Sequence, residues 1–248
     1  MPENEVPSVS QPEPHPASRL IVALDFPTSA EALLMVDRLD GQCRWFKVGL
    51  ELYLAEGRAI IDRLRDRRFE VFLDLKLHDI PNTVAAAVRT AAKSGPSLLT
   101  LHAAGGSHMM RAAVEAVADL ADPPKLLAVT VLTSMDEAQL RSTGVEDSPR
   151  DQVLRLGRLA NDCGMDGLIC SGQELAGLRQ EIGSEPILVV PGIRPAGMAS
   201  DDQKRTMAPA DALHAGASML VVGRPITRAA DPARACAQIL AEIAGCQK

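Results

Sequence analysis

Short runs of leucine and β-branched residues recur along the chain from Arg19 onward, among them LIVAL (20–24), LLAVTVL (126–132), ILVV (187–190) and MLVV (219–222). They do not alternate apolar with polar. A strand that is apolar at every position is covered on both faces, as in a parallel sheet packed under helices. Between the runs, apolar residues return at helical spacing, so the chain reads as repeated β-strand and α-helix units. The expected strands cover 20–25, 44–49, 70–76, 98–102, 125–132, 167–171, 186–192 and 218–224. Eight such units predict an α/β fold, a closed (β/α)8 TIM barrel in a single domain over 19–248. The alternative is an open doubly wound sheet. That fold normally carries a glycine-rich turn after its first strand, whereas the first run here ends in Asp25-Phe26-Pro27.

Several boundaries can be read from capping chemistry. Thr28 or Ser29 is placed to cap a helix over 30–39, Asn82 one over 83–93, and Asp231 followed by Pro232 opens the last helix. A short helix is expected at about 209–214. Residues 1–18 hold five prolines and three glutamates, with neither the basic nor the apolar segment of a secretory signal, and read as a disordered arm.

Composition narrows the partners. With 26 Lys+Arg against 32 Asp+Glu, and one Trp, one Tyr and four Phe, the chain offers neither the basic surface nor the stacking platforms that nucleic acid needs. No apolar run approaches the ~18 residues of a membrane span. Five cysteines, scattered and never in a C-x-x-C spacing, fit a reducing cytoplasm. His15, His108 and His214 show no ligand spacing, so no metal is expected.

Barrels keep their chemistry at the C-terminal ends of the strands. Charge collects there: Asp25 after the first run, Lys47 in the second, then Asp74 and Lys76 in the third, followed by His78 and Asp79. Strand alternation puts Asp74 and Lys76 on one face and Leu73, Leu75 and Leu77 on the other. Isolated charges are expensive to bury, so these must pair with one another or with a ligand, and Lys47, Asp74, Lys76 and Asp79 could form an alternating array. Such an array could be an internal ion-pair network that does nothing but fill the barrel. Alternatively, a lysine flanked by carboxylates is a positioned proton donor, and an ionised aspartate beside it repels a substrate anion.

At the other end of the chain, Pro191-Gly192-Ile193-Arg194 and Gly223-Arg224 fall where barrels often hold phosphate. Glycine lets backbone N–H groups approach the oxygens, and Arg224 offers a bidentate fork. Gln203 sits between them, where an amide could close over the phosphate. His102 reads as a core histidine or a neighbour of the site, and Thr133 and Ser134 as ligand contacts or caps. No G-x-S-x-G, Walker A or G-x-G-x-x-G motif occurs.

The run DLKLHDIPNT (74–83), with ALD (23–25), FKVG (46–49), VTVLTSM (129–135), PGIRP (191–195) and VGRPIT (222–227), closely resembles the bacterial orotidine 5′-phosphate decarboxylases over about residues 19–245. The resemblance implies conversion of orotidine 5′-phosphate to uridine 5′-phosphate, the last step of de novo pyrimidine nucleotide synthesis, with no cofactor. It implies that Lys76 protonates C6 and that Asp74 faces the substrate carboxylate, with Lys47 and Asp79 completing a charged tetrad. Asp25 matches a ribose contact, Thr133 a nucleotide contact, and Arg194, Gln203, Gly223 and Arg224 the ligand and phosphate contacts. In the family, the residues matching Asp79 and Thr83 enter the neighbouring subunit's site, which implies a homodimer with shared sites. Two rivals remain: a magnesium-dependent sugar-phosphate lyase or decarboxylase of the same suprafamily, and a catalytically silent barrel that binds phosphometabolites.

Overall fold

In the computed structural model, which describes residues 15–39, 41–195 and 205–246, eight parallel strands close in chain order into a barrel. They are β1 (Leu20–Ala23), β2 (Trp45–Val48), β3 (Glu70–Leu77), β4 (Leu98–His102), β5 (Lys125–Val129), β6 (Gly167–Ile169), β7 (Ile187–Val190) and β8 (Met219–Val222). β8 returns to pair with β1, Leu20 opposite Leu220 and Val22 opposite Val222. Helices connect successive strands, so the fold is the expected (β/α)8 barrel.

Alternation along each strand sorts the side chains into two cores. Ile21, Phe72, Leu98, Leu127, Val189 and Val221 point inward and pack into a plug. Their neighbours Val22, Phe46, Leu73, Leu99, Leu188 and Leu220 face outward and pack with helix residues such as Ile60, Val88, Leu178 and Ile239. Most strand positions therefore lose water on one side or the other, which is why runs such as LIVAL, ILVV and MLVV are apolar without alternation.

The ladders are shorter than the apolar runs. β1 stops at Ala23, β5 at Val129 and β8 at Val222, and the residues that follow leave the sheet to form the mouth. Thr28 caps helix Ser29–Arg38 by accepting the Glu31 N–H at 3.3 Å, and Asp231 caps helix Pro232–Gly245 through the Arg234 N–H at 3.0 Å. The short helix is Pro209–His214. Asn82 does not cap its helix. That helix is Pro81–Ala92, with Ile80 at its N-cap and no side-chain bond, because Pro81 starts the first turn with φ already set and no N–H to satisfy. At the end of the stretch expected as a disordered arm, residues 16–18 continue with Arg19 into a helical turn, Pro16–Arg19, packed against the C-terminal helix, and His15 Nδ1 accepts the Ala17 N–H at 3.2 Å. Residues 1–14 of that stretch lie outside the described residues.

Phe46 is 1% exposed and meets the Phe69 ring edge-on, with centroids 4.9 Å apart. Truncating a buried phenylalanine forfeits its transfer free energy and leaves a cavity, so Phe46→Ala should cost about 3–5 kcal/mol, read as a lowered urea midpoint at unchanged m-value.

Candidate active site

The centre of the barrel mouth is a carboxylate that the fold has taken out of water. Asp74, on β3, is 7% exposed. Its Oδ2 accepts a hydrogen bond from Lys76 Nζ at 2.8 Å and lies 3.7 Å from Lys47 Nζ. Its Oδ1 accepts from the Thr100 hydroxyl on β4 at 3.0 Å. Lys47 Nζ, on β2, also donates to Asp25 Oδ1 at 3.0 Å. Three adjacent strands thus present an alternating chain, Asp25–Lys47–Asp74–Lys76. Burial alone would raise the Asp74 pKa, but the Lys47 and Lys76 ammonium groups and the bonds from Lys76 and Thr100 outweigh it and bring it below the ordinary carboxylate value.

Local backbone geometry makes the cluster possible. Leu73 pairs with Leu99 and Leu77 with Leu101, so four residue steps of β3 face two of β4. The bulge falls on Asp74–Lys76, and Lys76 takes a left-handed conformation with φ of 50°. An insertion of two residues preserves side-chain parity, so Leu75 and Leu77 still pack on the outer core while Asp74 and Lys76 meet inside. Gly49 leaves the room that Lys47 occupies: a Cβ there would lie 2.9 Å from Lys47 Nζ and 3.4 Å from Asp25 Oδ1.

The same cavity, of about 330 Å³, is bounded on its other side by Thr133 and Ser134 after β5, Gly192 and Arg194 after β7, and Gly223 and Arg224 after β8. Gly192 has φ of 77°, a backbone region that side-chain-bearing residues rarely adopt. Arg194 is buried and donates to its neighbour's carbonyl, Ile193 O, at 2.9 Å. Ala23, Phe72, Val129, Ile169 and Val221 form an apolar floor. The volume is at the low end of the ~300–1,000 Å³ typical of small-molecule sites, and the pattern of apolar walls with a few convergent polar groups is also typical.

The mouth brings together Asp25, Lys47, Asp74, Lys76, Thr133, Arg194, Gly223 and Arg224. Asp79 does not join the array within the chain. It is exposed, and its Oδ1 accepts the N–H of the next residue, Ile80, at 2.6 Å. Thr83 is exposed on helix Pro81–Ala92. Gln203 lies outside the described residues. His102 is half-buried with its ring 5.3 Å from His78, and burial first, then the His78 and Lys76 charges, lower its pKa.

Sequence reasoning overlooked two features. Thr100 lies in the apolar run LLTLH, where the one hydroxyl was the available signal. Glu174 and Arg205 form a buried ion pair behind the mouth, and Arg205 also donates to Val131 O at 3.2 Å and Leu132 O at 3.4 Å. Far apart in sequence, these two left no local pattern. Among the described residues, no group of three or more His, Cys, Asp or Glu is arranged to hold a metal ion, and no helix is long and apolar enough to cross a membrane.

Fold and mouth together define a (β/α)8-barrel enzyme with a charged site at the C-terminal ends of its strands. The sequence profile of the orotidine 5′-phosphate decarboxylase / HUMPS family matches residues 18–239, and the chain belongs to that family. It is 52% identical over 227 residues to an orotidine 5′-phosphate decarboxylase of Nitrosococcus oceani, covering 91% of this chain and 97% of the relative. It is 50% identical over 238 residues to the enzyme of the same name from Chromobacterium violaceum, covering 96% of each. Among solved structures, an orotidine 5′-phosphate decarboxylase from Lactobacillus acidophilus superposes with a TM-score of 0.80 at 38% identity, over 91% of this chain and 99% of that one.

The lowered Asp74 pKa has a consequence for stability. A carboxyl with its pKa depressed by folding contributes stability that is complete above the unfolded value, near 3.9, and is lost as pH falls through the folded value. The stability gap between the wild type and Asp74→Asn should therefore be flat above about pH 5 and shrink in more acid solution, measured by urea unfolding across pH. A gap that widens in acid would reverse the direction assigned to Asp74.

Proposed function

We propose that this chain decarboxylates orotidine 5′-phosphate to uridine 5′-phosphate, the last step of de novo pyrimidine nucleotide synthesis, without a metal or cofactor. The observation that carries this reading is the Lys76 ammonium held 2.8 Å from the buried Asp74 carboxylate at the edge of the cavity. Breaking the bond between C6 and the carboxylate releases carbon dioxide and leaves the electron pair on C6, in an orbital the pyrimidine ring cannot delocalise. Lys76 stabilises that charge and donates a proton to C6, then regains one from water. Asp74, kept ionised by its neighbours, stands against the substrate carboxylate, and the repulsion is relieved when carbon dioxide leaves.

In this reading Asp25 contacts the ribose, and Thr133 and Arg194 contact the nucleotide. Gly223, Arg224 and Gln203 hold the phosphate, and binding energy gathered there favours the transition state at the distant base. Asp79 and Thr83 act in the site of a second copy, completing a Lys47–Asp74–Lys76–Asp79 tetrad across a homodimer. The exposure of both side chains supports this, as do exposed apolar residues following β2, β3 and β5: Leu54 at 79%, Ile80 at 66% and Leu132 at 37%. A cytoplasmic setting is part of the reading, supported by five cysteines that are all free thiols.

The direct test follows the ultraviolet absorbance of orotidine 5′-phosphate with purified protein in excess EDTA. Loss of the substrate band with uridine 5′-phosphate formed is the expected result. Activity appearing on a sugar phosphate after magnesium is restored would assign the chain to the metal-dependent branch, and silence on both would make it a binding barrel. Lys76→Ala should lower turnover by at least about 10³-fold while leaving uridine 5′-phosphate binding largely intact, because the phosphate residues are on other strands. Mixing Asp79→Ala with Lys76→Ala should restore part of the activity, since a mixed dimer rebuilds one complete site. Absence of recovery in verified heterodimers would rule out sharing.

A further inference from the structure

We propose that Thr100 is a positioning residue that fixes Lys76 and Asp74 relative to one another, and this rests on the activity proposed above. Its side chain is fully buried on β4, where strand parity aims it inward between Leu98 and His102. The hydroxyl is used in both directions. It donates to Asp74 Oδ1 at 3.0 Å and accepts the Lys76 backbone N–H at 2.9 Å. The second bond replaces what the bulge removes. Between the Leu73–Leu99 and Leu77–Leu101 pairs the β3–β4 ladder is interrupted, and the Thr100 oxygen satisfies the stranded amide of Lys76.

That amide belongs to one of two described non-glycine residues with positive φ. A left-handed lysine persists only where its surroundings hold it there, and strain of this kind gathers at functional sites. Because the bond reaches the backbone of Lys76, it sets where the side chain starts. Because the other reaches Asp74, it sets the carboxylate that Lys76 Nζ meets. One hydroxyl therefore fixes both ends of the Lys76–Asp74 contact, and valine, which matches threonine in shape, can supply neither bond.

The experiment compares Thr100→Val and Thr100→Ser with the wild type in orotidine 5′-phosphate turnover, with uridine 5′-phosphate binding measured by calorimetry. Wild-type turnover is measured first. A wild type that does not turn over overturns the activity reading and this proposal with it. Given an active wild type, Thr100→Val should lower kcat by about 10- to 100-fold with KM and product affinity within about threefold of wild type, because the loss is confined to the reacting end of the ligand. Thr100→Ser, which keeps the hydroxyl, should recover kcat to within about threefold. If Thr100→Val does not yield folded protein, Thr100→Ala removes the same hydroxyl with a smaller side chain and is read by the same criteria. A hydroxyl-free variant with near wild-type kcat overturns the proposal. So does one whose kcat falls no further than that of Thr100→Ser, or one that loses product affinity as heavily as turnover.

Discussion

The site is organised around the cost of keeping one carboxylate ionised inside a barrel. Moving such a group out of water costs several kcal/mol even after the protein relaxes, and that cost is recovered only when well-placed partners face it. Asp74 has three such groups: the Lys76 and Lys47 ammonium groups and the Thr100 hydroxyl. They come from three adjacent strands, so their convergence depends on the β2–β3–β4 registers. The bulge in β3, the left-handed Lys76 and the glycine beside Lys47 all serve that convergence. None of them is what a designer seeking stability alone would choose. Buried ion pairs are frequently matched or exceeded in stability by apolar residues of the same volume, so this arrangement calls for a chemical explanation.

The barrel interior keeps the two kinds of surface apart. The inward plug ends in an apolar floor, with Phe72 two residues before Asp74 on the same strand. Charge begins directly above it, at a level where water is already excluded from below, so each electrostatic interaction there is stronger than on an open surface. The glycine- and arginine-bearing ends of β7 and β8 close the same ring, and β8 pairs with β1, which places Gly223 near Asp25. Chain closure thus brings the two ends of the sequence to one site. In an open doubly wound sheet the first strand lies in the interior and the last at an edge, so the two would not adjoin.

Much of this was legible in the sequence because its physical causes are periodic. Strands buried on both faces need runs that are apolar along most of their length, and eight such runs pointed to the barrel. Asp74 and Lys76 were placed on one face by strand parity, which survived the bulge because two residues, and not one, were inserted. What could not be read depends on tertiary geometry. The runs overshoot the ladders because residues such as Val131 stay buried after leaving the sheet. Proximity in sequence put Asp79 beside Lys76, but within one chain its strand has already ended and its carboxylate accepts the Ile80 amide, so any part it takes in the array is across subunits, as proposed above. Thr100 was hidden because threonine in a strand ordinarily signals nothing beyond β-propensity.

The second buried pair shows how directly the number of partners sets the behaviour of a carboxylate. Glu174 is as deeply buried as Asp74 and also faces a cation, Arg205. Yet burial outweighs that guanidinium and raises the Glu174 pKa, the opposite of the direction at Asp74. Glu174 Oε2 has no hydrogen-bond partner among the described residues, whereas both oxygens of Asp74 are engaged. At Glu174 one guanidinium and the Ser171 and Glu174 backbone groups do not offset desolvation; at Asp74 two ammonium groups and a hydroxyl more than offset it. The difference matches what each pair does in the fold. Arg205 ties the Val131 and Leu132 carbonyls behind the mouth. In the reaction proposed above Asp74 faces the substrate carboxylate, a role that requires it to stay charged, and its surroundings carry the donors that favour the charged form.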